Sequence, residues 1–134
     1  MDSTKINTLI DQLLEALDGD WLLVGGALLH VLGISDRYTL DVDLVPLQEV
    51  TNKDQLKAID VAVKNNLPPE SINFAAEYFV KKQKNWKREI ILLKQTKSAR
   101  LFRPSRKLFK KLKLARGSEA DLLDIKIFES KMKD

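Results

Sequence analysis

Asp41 and Asp43 stand one residue apart in a stretch (Leu40, Asp41, Val42, Asp43, Leu44, Val45) that begins as strict apolar–acidic alternation. Alternation is strand periodicity. Successive side chains of a strand leave opposite faces, so both carboxylates are expected on one side and Leu40, Val42 and Leu44 on the other. Two carboxylates with Cα atoms roughly 7 Å apart suit a shared hard cation such as Mg²⁺. Two-metal phosphoryl-transfer sites hold their ions about 4 Å apart, a gap that neighbouring carboxylates bridge. A solvated strand face with two ordinary acids has the same pattern, and Asp-x-Asp alone does not separate the two.

A second feature sits upstream. The apolar run Trp21, Leu22, Leu23, Val24 reads as a buried strand and ends at Gly25 and Gly26, after which residues 27–32 read as a helix stopped by Gly33. A glycine turn that feeds a helix leaves backbone N–H groups free, and the missing Cβ atoms let a phosphate approach them. A tight strand-to-helix turn needs the same glycines. Together with Asp41 and Asp43 the turn makes a coherent site, a phosphate cradle beside a carboxylate pair.

The remaining elements must hold these two features together. Residues 4–17 place Ile6, Leu9, Ile10, Leu13, Leu14 and Leu17 at helical spacing, with Ser3 or Thr4 as cap and Gly19 as stop. Residues 52–66 predict a second amphipathic helix on Leu56, Ile59, Val63 and Ala62. From 71 to 86 the expectation is a helix capped by Ser71 that buries Ile72, Ala75, Ala76, Phe79 and Val80. Residues 89–94 and 99–103 read as strands around Thr96, Lys97 and Ser98. Ser105 caps a helix to Arg116 whose apolar stripe is Leu108, Phe109, Leu112 and Ala115, with Arg106, Lys110 and Lys113 outward. Gly117 ends it, and Ser118 with Asp121 forms a capping box for the last helix. The fold class expected is α/β, a mixed sheet with flanking helices, in one domain spanning 1–134.

The chain has 134 residues, 44% of them hydrophobic, which is enough for one core. It has no cysteine, which excludes disulfides and thiolate metal sites. Its opening residues lack the basic-then-apolar layout of a signal peptide, and the longest apolar stretch is too short to span a bilayer, so a soluble cytoplasmic protein is expected. The net charge of +4 is unevenly spread: residues 1–80 carry 5 basic and 13 acidic side chains, whereas 81–116 carry 15 Lys/Arg against Glu89 alone. That block favours a polyanionic partner such as RNA, although lysines and arginines also solvate helix faces and guard sheet edges. His30, the only histidine, reads as structural, as do Trp21 and Trp86. Asp121 and Asp124, one helical turn apart, read as ion-pair partners of the preceding helix.

The run Val24, Gly25, Gly26, Ala27, Leu28, Leu29, followed by Arg37, Tyr38, Thr39, Leu40, Asp41, Val42, Asp43, Leu44, resembles the signature of the nucleotidyltransferase superfamily, whose fold is polymerase-beta-like. The nearer likeness is to minimal bacterial members, including toxin-type nucleotidyltransferases of the abortive-infection kind. Several of these carry Lys-Leu, then Ala-Arg, then Asp-x-x-Asp-Ile. Here Lys111 to Arg116 and Asp121 to Ile125 fall in that order. The resemblance implies that Gly25 and Gly26 cradle a nucleoside triphosphate and that Asp41 and Asp43 hold Mg²⁺ as the catalytic pair. Arg37 and Thr39 would position phosphate or order the strand entry, and Lys113 and Arg116 would neutralise phosphate charge. The implied reaction moves a nucleoside monophosphate to a hydroxyl of RNA, protein or a small molecule. Active members also carry a third carboxylate on a neighbouring strand. Glu77 and Glu89 lack the flanking pattern for it, and Ala120 stands where a basic residue often precedes the C-terminal acid. The alternative implied is a module without turnover that binds nucleotide, RNA or a partner protein such as an antitoxin.

Overall fold

A computed structural model describes residues 1–35 and 37–132. Helix α1 (Ser3–Ala16) buries Ile6, Leu9, Ile10, Leu13 and Leu14 along one stripe. Its cap is Asp2, whose side chain accepts from the Lys5 amide, one residue before the expected Ser3. The helix ends at Ala16. Gly19, at φ +92°, opens strand β1 (Gly19–Val24) and does not act as the helix stop. Helix α2 (Gly26–Val31) follows, then strand β2 (Val42–Pro46).

Helix α3 (Asn52–Lys64) starts from a Thr51/Asp54 capping box and packs on α1. Its buried residues are Ala58, Val61 and Ala62; of the expected row only Ala62 is buried, and Leu56, Ile59 and Val63 are exposed at 66%, 40% and 52%. The two alanines let the helix backbones approach closely, and that contact turns the larger side chains outward. Of the helix expected over 71–86 only 77–81 forms; Ile72 and Val80 are buried as expected, whereas Ala75 and Phe79 are exposed. A 3-10 turn (Pro69–Ser71) leads into a two-residue strand β3 (Ile72–Asn73), and only then comes the short helix α4 (Glu77–Lys81). Ile72 and Asn73 pair with β2, so the sheet ladder takes the backbone groups that a helix would have used. A second 3-10 turn (Trp86–Arg88) precedes strands β4 (Ile90–Gln95) and β5 (Ala99–Pro104). Helix α5 (Arg106–Arg116) is capped by Ser105 and closed by Gly117 at φ +69°, and α6 (Glu119–Lys131) opens on the Ser118/Asp121 capping box.

The five strands form a mixed sheet in the order β3-β2-β1-β5-β4, flanked by helices, which makes the chain an α/β domain. β1 runs antiparallel to β2 and parallel to β5. Alternation along β1 and β2 divides the core. Trp21, Leu23, Val42 and Leu44 join α1, α2 and α3 in the larger cluster, which extends to Phe109 and Phe128. Leu22, Val24 and Val45 point to the other face, where Val80, Trp86 and Leu108 cover them. Asp43 belongs to that second face. Among the described residues no helix is long and apolar enough to cross a membrane.

Candidate functional site

The β1–β2 register places Asp43 opposite Val24, the last residue before the glycine turn. On its other side Asp43 pairs with Asn73 of β3. Asp43 therefore lies between the last residue of β1 and the last residue of β3. Gly25 adopts φ +77°, a region that L side chains rarely enter. A Cβ on Gly25 would sit 2.5 Å from Asp43 Oδ2, and a Cβ on Gly26 would sit 3.1 Å from Thr39 Oγ1. The space left by the absent side chains is thus taken by Asp43 and Thr39 of the protein itself. The turn needs glycine for this internal approach, whatever it binds.

Asp43 opens on a cavity of about 220 Å³ whose polar lining is Gly25, Asp43, Asn73, Lys113 and Arg116. Burial pushes the Asp43 carboxyl above its ordinary range. The negative charge of Asp41 adds to that, while a hydrogen bond from Asn73 and the charges of Arg116 and Lys113 oppose it. Asp41 is placed differently from the alternation reading. It precedes β2 by one residue, is exposed, and is not among the residues lining the cavity. It remains near enough to act on Asp43 through its charge.

The C-terminal basic residues are organised by α6. Lys113, expected outward, is only 7% exposed: its Nζ lies 2.9 Å from Asp124 Oδ2 and 3.6 Å from Asp121 Oδ1. Arg116 Nε lies 3.4 Å from Asp121 Oδ2, with a side chain 69% exposed. Arg37 turns away from the cavity to α6, its Nη2 lying 2.9 Å from each Asp124 oxygen and donating to Oδ2. Three cations thus share two carboxylates, and two of them, Lys113 and Arg116, act on Asp43. Asp121 is itself held below the usual carboxylate range: burial opposes this, but hydrogen bonds from Ser118 and the charges of Arg116 and Lys113 outweigh it. The ion-pairing expected of Asp121 and Asp124 is present.

His30 fixes the loop that carries Arg37. Its Nε2 bonds the Arg37 carbonyl, which can only accept, so Nε2 carries the proton, and Nδ1 lies 2.6 Å from Ser3 Oγ. The ring is buried among these partners, as expected of a structural histidine.

A Mg²⁺ ion of the kind held by one or two carboxylates and completed by substrate phosphates would meet one carboxylate on the cavity, Asp43, with Asp41 outside its lining. The like charge that Asp41 imposes on a half-buried Asp43 is what a cation would relieve. Among the described residues, no group of three or more His, Cys, Asp or Glu side chains is placed to hold a metal. Glu77 pairs with Lys81, and Glu89 accepts from Ser105. Neither is spare.

The block 81–116 is partly neutralised. Arg100 binds Asp20 through two contacts of 2.7 Å, Lys94 reaches Asp11, and Lys110 reaches Glu129. Arg100 is also what holds the Asp20 carboxyl below its usual range, chiefly by hydrogen bonding. Lys84, Arg88, Arg106, Lys107 and Lys111 are exposed and without acidic partners among the described residues.

Sequence reasoning missed Asn73 because its segment was read as helix. It also missed that Lys113 is an internal ion-pair partner. The spacing of Asp121 and Asp124, one turn apart and close in sequence to Lys113, carried that signal. No family model, curated protein or solved structure matches the chain.

Proposed function

We propose that this chain is a minimal nucleotidyltransferase that moves a nucleoside monophosphate from a nucleoside triphosphate to a hydroxyl acceptor, breaking the α–β phosphoanhydride bond and releasing pyrophosphate. The observation that carries the reading is the seating of Asp43 against Gly25 in a cavity flanked by Lys113 and Arg116. Asp41 and Asp43 would hold Mg²⁺, which supplies charge neutralisation to the phosphates when bound. Arg116, exposed and singly paired, is free to swing onto a phosphate oxygen. Lys113, fixed by two carboxylates, contributes a preorganised field and no such movement. Arg37 supports the loop between α2 and β2 through Asp124, and Thr39 steadies the turn at Gly26. Catalysis in such a site rests mainly on positioning and electrostatics. The exposed cations of 81–116 favour RNA over a protein or small molecule as acceptor.

A second reading has its own observation. No third acid joins Asp41 and Asp43 among the described residues, which favours a module that binds nucleotide, RNA or a protein partner without turnover. Incubation with each labelled nucleoside triphosphate and Mg²⁺, with and without bulk cellular RNA, separates the two. Label transferred to an acceptor supports the enzyme. Binding without transfer in every combination supports the module.

A further inference from the structure

The cavity beside Asp43 has a second, apolar wall that the phosphate chemistry leaves unused. Ala75, Ala76, Phe79 and Val80 form it from α4 and the residues before it, and Leu112 closes it from α5. Phe79 is 56% exposed yet lines this cavity, and Tyr78 braces its ring edge-on at 5.5 Å between centroids. An exposed aromatic ring beside small alanines offers a flat ring a surface to stack on. The volume of about 220 Å³ is below the roughly 300–1,000 Å³ of sites that enclose a whole small ligand. Gly25, Asp43 and Arg116 line the same cavity, so it suits a base with the nearest phosphate of an elongated ligand whose remainder extends into solvent.

The geometry points to a nucleobase subsite in which the base of the triphosphate stacks on Phe79 and is backed by Leu112 and Ala76. This rests on the nucleotide reading of the same cavity and extends it to the base. No side chain on the apolar wall carries a donor or acceptor, so the subsite ranks bases by stacking surface. Purines bind better than pyrimidines, and no base is read by hydrogen bonds.

The test uses the whole protein with Mg²⁺ and two probes, a nucleoside triphosphate and inorganic tripolyphosphate, titrated calorimetrically. The wild type should bind adenosine triphosphate more tightly than tripolyphosphate. Phe79→Ala should weaken the nucleotide roughly 5- to 150-fold, the range of base–aromatic stacking, and leave tripolyphosphate unchanged. Phe79→Trp should restore nucleotide affinity. Ala75→Leu, which narrows the cavity from an exposed position, should repeat the loss without touching the core. Equal affinity of the two probes, with neither altered by Phe79→Ala, overturns the base subsite but keeps the phosphate site. Failure of the wild type to bind either probe removes the nucleotide reading beneath it. A preference above a hundredfold for one base would also overturn the subsite, because stacking alone does not discriminate so strongly.

Discussion

Asp43 occupies the place where Gly25 would carry a side chain, with Oδ2 2.5 Å from the point a Cβ would take. Gly25→Ala therefore meets two separate penalties. The backbone at φ +77° and ψ −166° costs an L residue about 1–3 kcal/mol, and the carboxylate must also move. The variant should lose at least that much stability in urea denaturation. Adding Asp43→Ala should recover the steric part and leave the backbone part. Wild-type stability for Gly25→Ala would mean that the close approach does not exist in solution.

Asp43→Asn should melt at or above the wild type at pH 7. Burial raises the folded pKa of Asp43 above the unfolded 3.8, so the ionised carboxylate opposes folding at neutral pH. That penalty lifts as pH falls through the folded value and is gone below the unfolded one. The difference between variant and wild type should therefore shrink toward pH 4. Scanning fluorimetry at both pH values reads this directly. At pH 7 the wild type should gain melting temperature with Mg²⁺ and a triphosphate, and Asp41→Asn/Asp43→Asn should not. Indifference of the wild type to both ligands counts against the metal site, and a shift that survives in the double variant moves binding away from these acids.

Lys113 and Arg116, three residues apart, should behave differently. Lys113→Met strips a buried cation from Asp124 and Asp121, a change that typically costs about 3–5 kcal/mol. Pairing it with Asp124→Asn and Asp121→Asn should return much of that loss. Arg116→Ala, removing a largely exposed side chain, should cost under about 1 kcal/mol yet weaken triphosphate binding. Equilibrium unfolding of the three variants tests the contrast. Equal stability of Lys113→Met and Arg116→Ala would contradict the burial of Lys113.

Binding to single-stranded RNA should weaken steeply with salt as neutralised phosphates release counterions. Converting Arg88, Arg106, Lys107 and Lys111 to glutamine should lower the slope of log K against log salt by roughly 2–3, at about 0.7 per contact. A slope near zero for the wild type would assign these cations to solvation alone.

The sequence announced its strands and caps better than its buried faces. Trp21 to Val24 and the Ser105 and Ser118 caps were legible because local chemistry decides them. The face of α3 was not. Leu56, Ile59 and Val63 form as good a stripe as Ala58, Val61 and Ala62, and the choice between them is made by close packing on α1. β3 was missed for a similar reason: two residues have no periodicity, and only the neighbouring Val42 and Asp43 make Ile72 and Asn73 a strand. In the site, the Gly25–Asp43 contact followed from motif order. The inward turn of Lys113 did not, because the acids that draw it in stand on another helix.

The uneven spread of charge also bears on synthesis. Residues 1–80, with 5 basic and 13 acidic side chains, leave the ribosome first and carry Gly25, Asp41 and Asp43 with them. The basic block comes later, and Asp121 and Asp124, which draw Lys113 inward, follow it. Before the basic block is added, residues 1–80 form an acidic segment whose field repels polyphosphates and RNA alike. Addition of residues 81–116, with 15 Lys/Arg against Glu89, reverses the sign of that charge, so the field that greets a polyanion depends on the basic block being in place.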